Sequence, residues 1–224
     1  MVLDQPGNAD LLAPPPMKPL SFFAALLLCI VPATGRADLT LVQKSNSTGA
    51  QNPSVMKVKG TKIRIDSGTA QTNLIDTTTG EMIILIHGTK KLSKTNFKTG
   101  PVAAEIAKSL ASARLHRPLG TGKMEKIGVY NCEIHEWDFG GGIKSKLWVA
   151  KDFPNYEAIK TDLATLSTLG GVNVLNDING MVVKSHVDLG GATATTTLED
   201  VKTTPLPDAD FVVPADYELV TDKK

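Results

Sequence analysis

Apolar and charged side chains alternate through residues 55–87, VMKVKGTKIRIDSGTAQTNLIDTTTGEMIILIH. Ile63 and Ile65 point one way, and Lys62, Arg64 and Asp66 the other, which is the period of a half-buried strand. Short breaks at Gly60-Thr61 and at residues 77–80 divide the stretch. It predicts four strands, at 55–59, 62–66, 71–76 and 81–87, forming an antiparallel meander. Residues 82–86 (MIILI) are apolar on both faces, so this strand is expected to be covered on both sides.

The same pattern continues on either side. Residues 38–47 (DLTLVQKSNS) alternate as a first strand. Residues 87–100 are rich in Lys, Thr and Gly and read as a loop. Residues 101–115 open on Pro101, are rich in alanine, and place Val102, Ile106 and Leu110 on one face, as a helix would. Residues 123–139 read as a strand pair or one long strand bent at Gly128. Gly140-Gly141-Gly142 is a turn, and residues 143–150 (IKSKLWVA) return antiparallel. Residues 154–169 are a second helix, with Tyr156, Ile159, Leu163 and Leu166 at helical spacing and Gly170-Gly171 behind them. A last hairpin is expected from 181–189 and 192–203, followed by an extended tail over 208–220. Strand runs separated by single helices argue for an α+β fold, one antiparallel sheet packed on two helices.

The N-terminus departs from this pattern. Lys18 is followed by an apolar run over 20–31 and then by small residues at Gly35 and Ala37. That is the layout of a secretory signal peptide. We expect residues 1–37 to be a signal region with the true start at Met17, cleavage after Ala37, and a single domain over 38–224. The apolar run is too short for a stable transmembrane anchor. Leu28 stands where a lipid-attachment site needs a small residue before Cys29, so no lipidation is expected. The cleaved chain would keep one cysteine, Cys132, and form no internal disulfide.

Charge and chemistry narrow the function classes. The chain has 224 residues, 24 Lys+Arg against 23 Asp+Glu, and a formal net charge of +1. Nucleic-acid binding needs a concentrated basic face, and none is visible. Cys132 and His135 have an odd spacing that puts them on opposite faces of a strand, which argues against a shared metal. Cys132 beside Ile134 reads as a buried, inert thiol. Residues 119–124 (LGTGKM) hint at a phosphate loop, but Arg117 and Met124 break the pattern. Asp66 and Asp76 sit at strand ends, where Asp serves turns. Trp137 and Trp148 fall on facing hairpin strands, which suggests a cross-strand contact or core packing. Arg64, Lys62, Lys144 and Lys146 read as a solvated face. No cofactor, metal site or catalytic residue is expected.

Three segments together carry a resemblance: TNLIDTTTGEMIILIH, KIGVYNCEIHEW followed by KLWVAKDFP, and FVVPADYELV. In that order they resemble an exported bacterial family of unknown function, of the DUF4412 type, itself similar to the LolA and LppX lipoprotein-carrier superfamily. The resemblance covers nearly all of 38–220. It implies a strongly curved antiparallel half-barrel closed by helices around an apolar cavity, and no reaction. It makes the protein a periplasmic or extracellular carrier of an apolar ligand, a lipid or a lipidated polypeptide. The alternative is a structural or protein-interaction module of the envelope with a filled core. On such a fold, Ile63, Ile65, Leu74 and Ile84 would line the cavity from the sheet. Trp148 would join them, and Ile106, Leu110 and Ile159 would do so from the helices. The alanine-rich first helix fills little volume, which favours an open interior.

Overall fold

The computed structural model describes residues 38–47, 50–100, 103–104, 117–140, 142–167, 178–188 and 190–220. The chain forms β1 (Leu39–Ser47), β2 (Ala50–Lys59), β3 (Lys62–Ser67), β4 (Gln71–Asp76), β5 (Glu81–Ile86) and β6 (Lys91–Asn96). There follow β7 (Leu119–Ile127), β8 (Tyr130–Gly140), β9 (Ile143–Ala150), the helix α1 (Tyr156–Ser167), β10 (Met181–Asp188) and β11 (Thr193–Lys202). A 3-10 turn at Asp208–Phe211 and a two-residue strand, β12 (Glu218–Leu219), complete the described elements.

All twelve strands belong to one sheet, in the order β12-β6-β5-β4-β3-β2-β1-β11-β10-β9-β8-β7. Two meanders meet where β1 pairs with β11. Every pairing is antiparallel except β12 on β6, which is parallel. Consecutive strands β6 and β7 lie near opposite ends of this order. The protein is therefore mostly β, and the sheet is neither closed nor strongly curled. This corrects the expected strongly curved half-barrel. α1 is the one regular α-helix of the described residues. Of the first predicted helix only residues 103 and 104 are described, so Ile106 and Leu110 lie outside the described residues, as does the signal region.

The meander registers as its alternation demands. Met56, Ile65, Asn73 and Ile84 pair in one row, and Val58, Ile63, Ile75 and Met82 in the next. Gly128 takes a positive φ of 58° in the turn between β7 and β8, so residues 123–139 are a strand pair. β6 corrects the expected loop. KLSKTN is polar and buries only Leu92, so it gives almost no periodic signal.

Three apolar clusters divide between the two faces. The largest joins Leu39, Val58, Ile63, Cys132, Trp148 and Ile159, with Leu163 and Leu166 of α1 packed against it. On the opposite face of the first meander, Leu74, Leu85 and Leu92 pack with Ile83, Val213 and Tyr217. The third cluster gathers Trp137, Leu147, Val149 and Ile178. The two tryptophans therefore do not touch. Trp137 pairs with Ser145 and Trp148 with Ile134, so they fall into different clusters. The strand 81–86 is covered on both faces only over part of its length, because Ile86 is 44% exposed.

Candidate apolar binding groove

α1 starts where Asn155 adopts a positive φ of 57°, and its first turn is tied by Tyr156 N–H to Phe153 O at 3.2 Å. Tyr156, Ile159, Leu163 and Leu166 then fall on one stripe. Ile159 is fully buried in the main core, whereas Tyr156, Leu163 and Leu166 are half-buried. Between this stripe and the sheet runs a groove of 290 Å³, lined by Leu41 and Met56 from β1 and β2, Met181 and Val182 from β10, and Leu163 and Leu166 from α1. Gln43, Tyr156 and Lys160 bring the polar groups among its side chains. The Tyr156 hydroxyl donates to Ile178 O at 3.3 Å. Gly180 also lines the groove. A Cβ there would meet Ala150 O at 2.7 Å, and its φ is +138°, so only glycine lets the chain enter β10 this close to β9.

The residues expected to line a cavity are divided by the structure. Ile63, Trp148 and Ile159 meet in the main core, with Ile65 packed against them. Ile84 is half-buried in the row of Ile65. Leu74 lies on the other face of the sheet. None of these six described residues borders the groove itself. Trp148 is held in place: its indole N–H donates to Glu125 Oε2 at 2.8 Å, and Lys184 Nζ lies 4.3 Å from the ring centroid. Sequence reasoning overlooked Leu41 and Met181 because their strands were read without knowing that β1 and β10 converge beneath α1. The helical stripe was the available signal, since it contains Leu163 and Leu166.

Arg64 does not face solvent as expected. The C-terminal segment 203–220 crosses the face opposite α1 as a strap, and a chain of hydrogen bonds starts and ends on it. Arg64 donates to Asp210 O at 2.8 Å and to both oxygens of Asp66 at 2.9 Å. The Thr72 hydroxyl donates to Asp66 Oδ1 at 2.5 Å. Its oxygen must then accept from His87 Nε2–H, 3.0 Å away, which leaves Nδ1 to accept from the Tyr217 hydroxyl. Burial raises the Asp66 pKa, but the hydrogen bonds from Arg64 and Thr72 outweigh it and the net shift is downward. Asp66 thus does more than serve a turn, whereas Asp76 accepts the N–H groups of Thr78 and Thr79 as a turn residue. Thr72 is fully buried, so this network is built to hold the strap.

A second polar cluster lies on β8. Glu133 Oε2 is 2.7 Å from Lys151 Nζ and 3.7 Å from His135 Nε2. The Lys151 hydrogen bond lowers the Glu133 pKa. Cys132 lies in the main core, and burial pushes its thiol pKa up, the reverse of nucleophile activation.

One broad antiparallel sheet, with a helix over one face and a C-terminal strap over the other, defines the class of fold. The chain belongs to the DUF4412 family, a domain of unknown function, whose sequence model matches residues 34–217. This is the family read from the three sequence segments. No curated protein matches the chain at a significant level. Among solved structures, an uncharacterised conserved protein from Thermus thermophilus is similar at 11% identity and a TM-score of 0.52, over 83% of this chain and 90% of that one. That likeness supports the fold alone. The Mycobacterium tuberculosis lipoprotein LppX matches at 11% identity and a TM-score of 0.40, over 75% of this chain and 88% of that one. A LolA superfamily protein from Nitrosomonas europaea matches at 10% identity and a TM-score of 0.30, over 79% of this chain and 89% of that one.

Proposed function

We propose that this protein is exported to the cell envelope and binds an apolar ligand in the groove beneath α1, without catalysing a reaction. The observation that carries the reading is the groove itself: 290 Å³ of space with Leu41, Met56, Leu163, Leu166 and Met181 on its walls. Apolar space of this kind favours hydrocarbon over water. Each methylene removed from water contributes about 0.8 kcal/mol, so one chain gives useful affinity with few polar contacts.

Export rests on the charge, apolar run and small residues of the N-terminal region. Cleavage after Ala37 would leave Asp38 as the first residue. That residue already has a structural task, accepting Leu206 N–H at 2.6 Å. N-terminal sequencing of the exported protein should begin at Asp38.

The binding reading is tested by native mass spectrometry of protein purified from cells, and by titration with an apolar fluorescent probe. Leu163→Trp, which fills the groove from a half-buried position, should weaken probe binding at least several-fold. Failure of the wild type to bind any apolar probe would sink the carrier reading and leave the interaction module with a filled core.

A further inference from the structure

Resting on the reading of the groove as an apolar binding site, we infer that its ligand is a single-chain amphiphile with a carboxylate head, a free fatty acid, seated with its head at Lys160 and its tail toward Leu166. Three observations carry this. The first is size. The groove's 290 Å³ falls at the low end of the about 300–1,000 Å³ of small-molecule pockets. That suits one single-chain amphiphile better than a lipid with two or three chains.

The second observation is charge. Lys160 is the one charged residue among the described residues that line the groove, and Gln43 adds a neutral amide. Among the described residues, Lys160 Nζ has a single carboxylate neighbour, Glu157 Oε2 at 3.7 Å, and the two side chains are 50% and 78% exposed. An exposed pair at that distance is weak and easily exchanged for a better-placed anion. A lone ammonium matches a single negative charge; the forked guanidinium that favours phosphate is missing from this lining.

The third observation is direction. Tyr156, Lys160 and Leu163 stand at i, i+4 and i+7, so they follow one another along the same stripe of α1. The ammonium therefore lies nearer the N-terminal end of α1 than Leu163 and Leu166 do. Leu163 and Leu166 continue the stripe with purely apolar walls, opposite Leu41, Met56 and Met181. A polar head and an apolar tail are thus separated along one axis, as in a fatty acid.

The test uses the full mature chain and calorimetric titration at pH 8 with decanoate, decyl phosphate, decanol and decyltrimethylammonium, each below its micelle concentration. Decanoate should bind about tenfold more tightly than the cationic analogue. Lys160→Glu should reverse that order. Lys160→Met should cost decanoate about tenfold while leaving decanol unchanged, which separates a lost charge from a lost fold. Tighter binding of decyl phosphate than of decanoate overturns the carboxylate assignment. Equal binding of decanoate, decanol and the cation overturns the role of Lys160 but leaves the apolar groove standing. Absence of binding by all four overturns both.

Discussion

α1 turns Ile159, Leu163 and Leu166 to one face of the sheet, and its Tyr156 hydroxyl donates to Ile178 O. The strap crosses the opposite face and is held by directed groups. Asp210 receives Lys57 at 2.8 Å, Lys59 reaches Leu206 O at 2.6 Å, and Tyr217 closes the chain through His87 and Thr72. The strap adds apolar contacts, with Val213 and Tyr217 over Leu74, Leu85 and Leu92, and with Leu206 buried. The difference follows from side-chain length and backbone. A helix satisfies its own interior N–H and C=O groups and can offer a bare apolar stripe. An extended strap cannot, so it needs side chains from the sheet to receive its polar backbone. A cover held by non-directional contacts can leave room for a guest, whereas a cover held by fixed hydrogen bonds sets one position.

The largest expected effect is on the helix side. Ile159 is 1% exposed at the centre of the core, and Ile159→Ala should cost about 2–5 kcal/mol in urea unfolding. Leu163→Ala should cost less, because Leu163 already borders open space. Equal costs at the two positions would mean that the groove is filled. Ile159→Ala should also loosen probe binding in the groove and leave proteolysis of the strap unchanged.

The strap side should respond to loss of hydrogen bonds. Thr72→Val keeps the shape of a fully buried residue but removes a donor from Asp66 and the acceptor of His87 Nε2–H. It should cost about 1–3 kcal/mol and speed cleavage within 203–220, with ligand binding untouched. Acid should reach the same network. The folded-state pKa of Asp66 is lowered, so its contribution is fully present above the ordinary aspartate value of about 3.9 and is lost as pH falls through the lower folded value. Asp66→Asn should flatten that part of the stability profile below about pH 4, and an unchanged profile would remove Asp66 from the hold on the strap.

The two sides also differ in how far the sequence foretold them. The strands 71–76 and 62–66 and the helix stripe 156–166 were legible because their partners impose a strict period: one buried face, one repeat. β6 was hidden because its partners are β5 and the two residues of β12, and such an edge tolerates Lys, Ser and Thr. Arg64 was misread for a related reason. Alternation shows which way a side chain points but not what crosses above it, and the strap comes from far along the chain, since Arg64 and Asp210 are 146 positions apart. The lining of the groove was not legible in the sequence, because Leu41, Met56 and Met181 come together only through the β2–β1–β11–β10 run of the sheet.

The smallest effect is the most selective test of the contrast. Tyr217→Phe removes one hydroxyl and nothing else. The ring keeps its contact with the Leu74, Leu85 and Leu92 cluster, its edge-on approach to His87, and Lys90 Nζ at 4.8 Å from its centroid. What is lost is the O–H donated to His87 Nδ1, at the far end of the chain that begins at Arg64. A single neutral hydrogen bond of this kind contributes about 0.5–1.5 kcal/mol. If the strap is positioned by directed bonds, the variant should lose that much stability, and cleavage in 203–220 should rise while the groove binds as before. If packing alone holds the strap, Tyr217→Phe should be silent in both measurements, and Thr72→Val should then act only through its own burial. Combining the two substitutions separates these cases. Members of one hydrogen-bonded chain give a double variant that costs less than the sum of the singles, and independent positions give the sum.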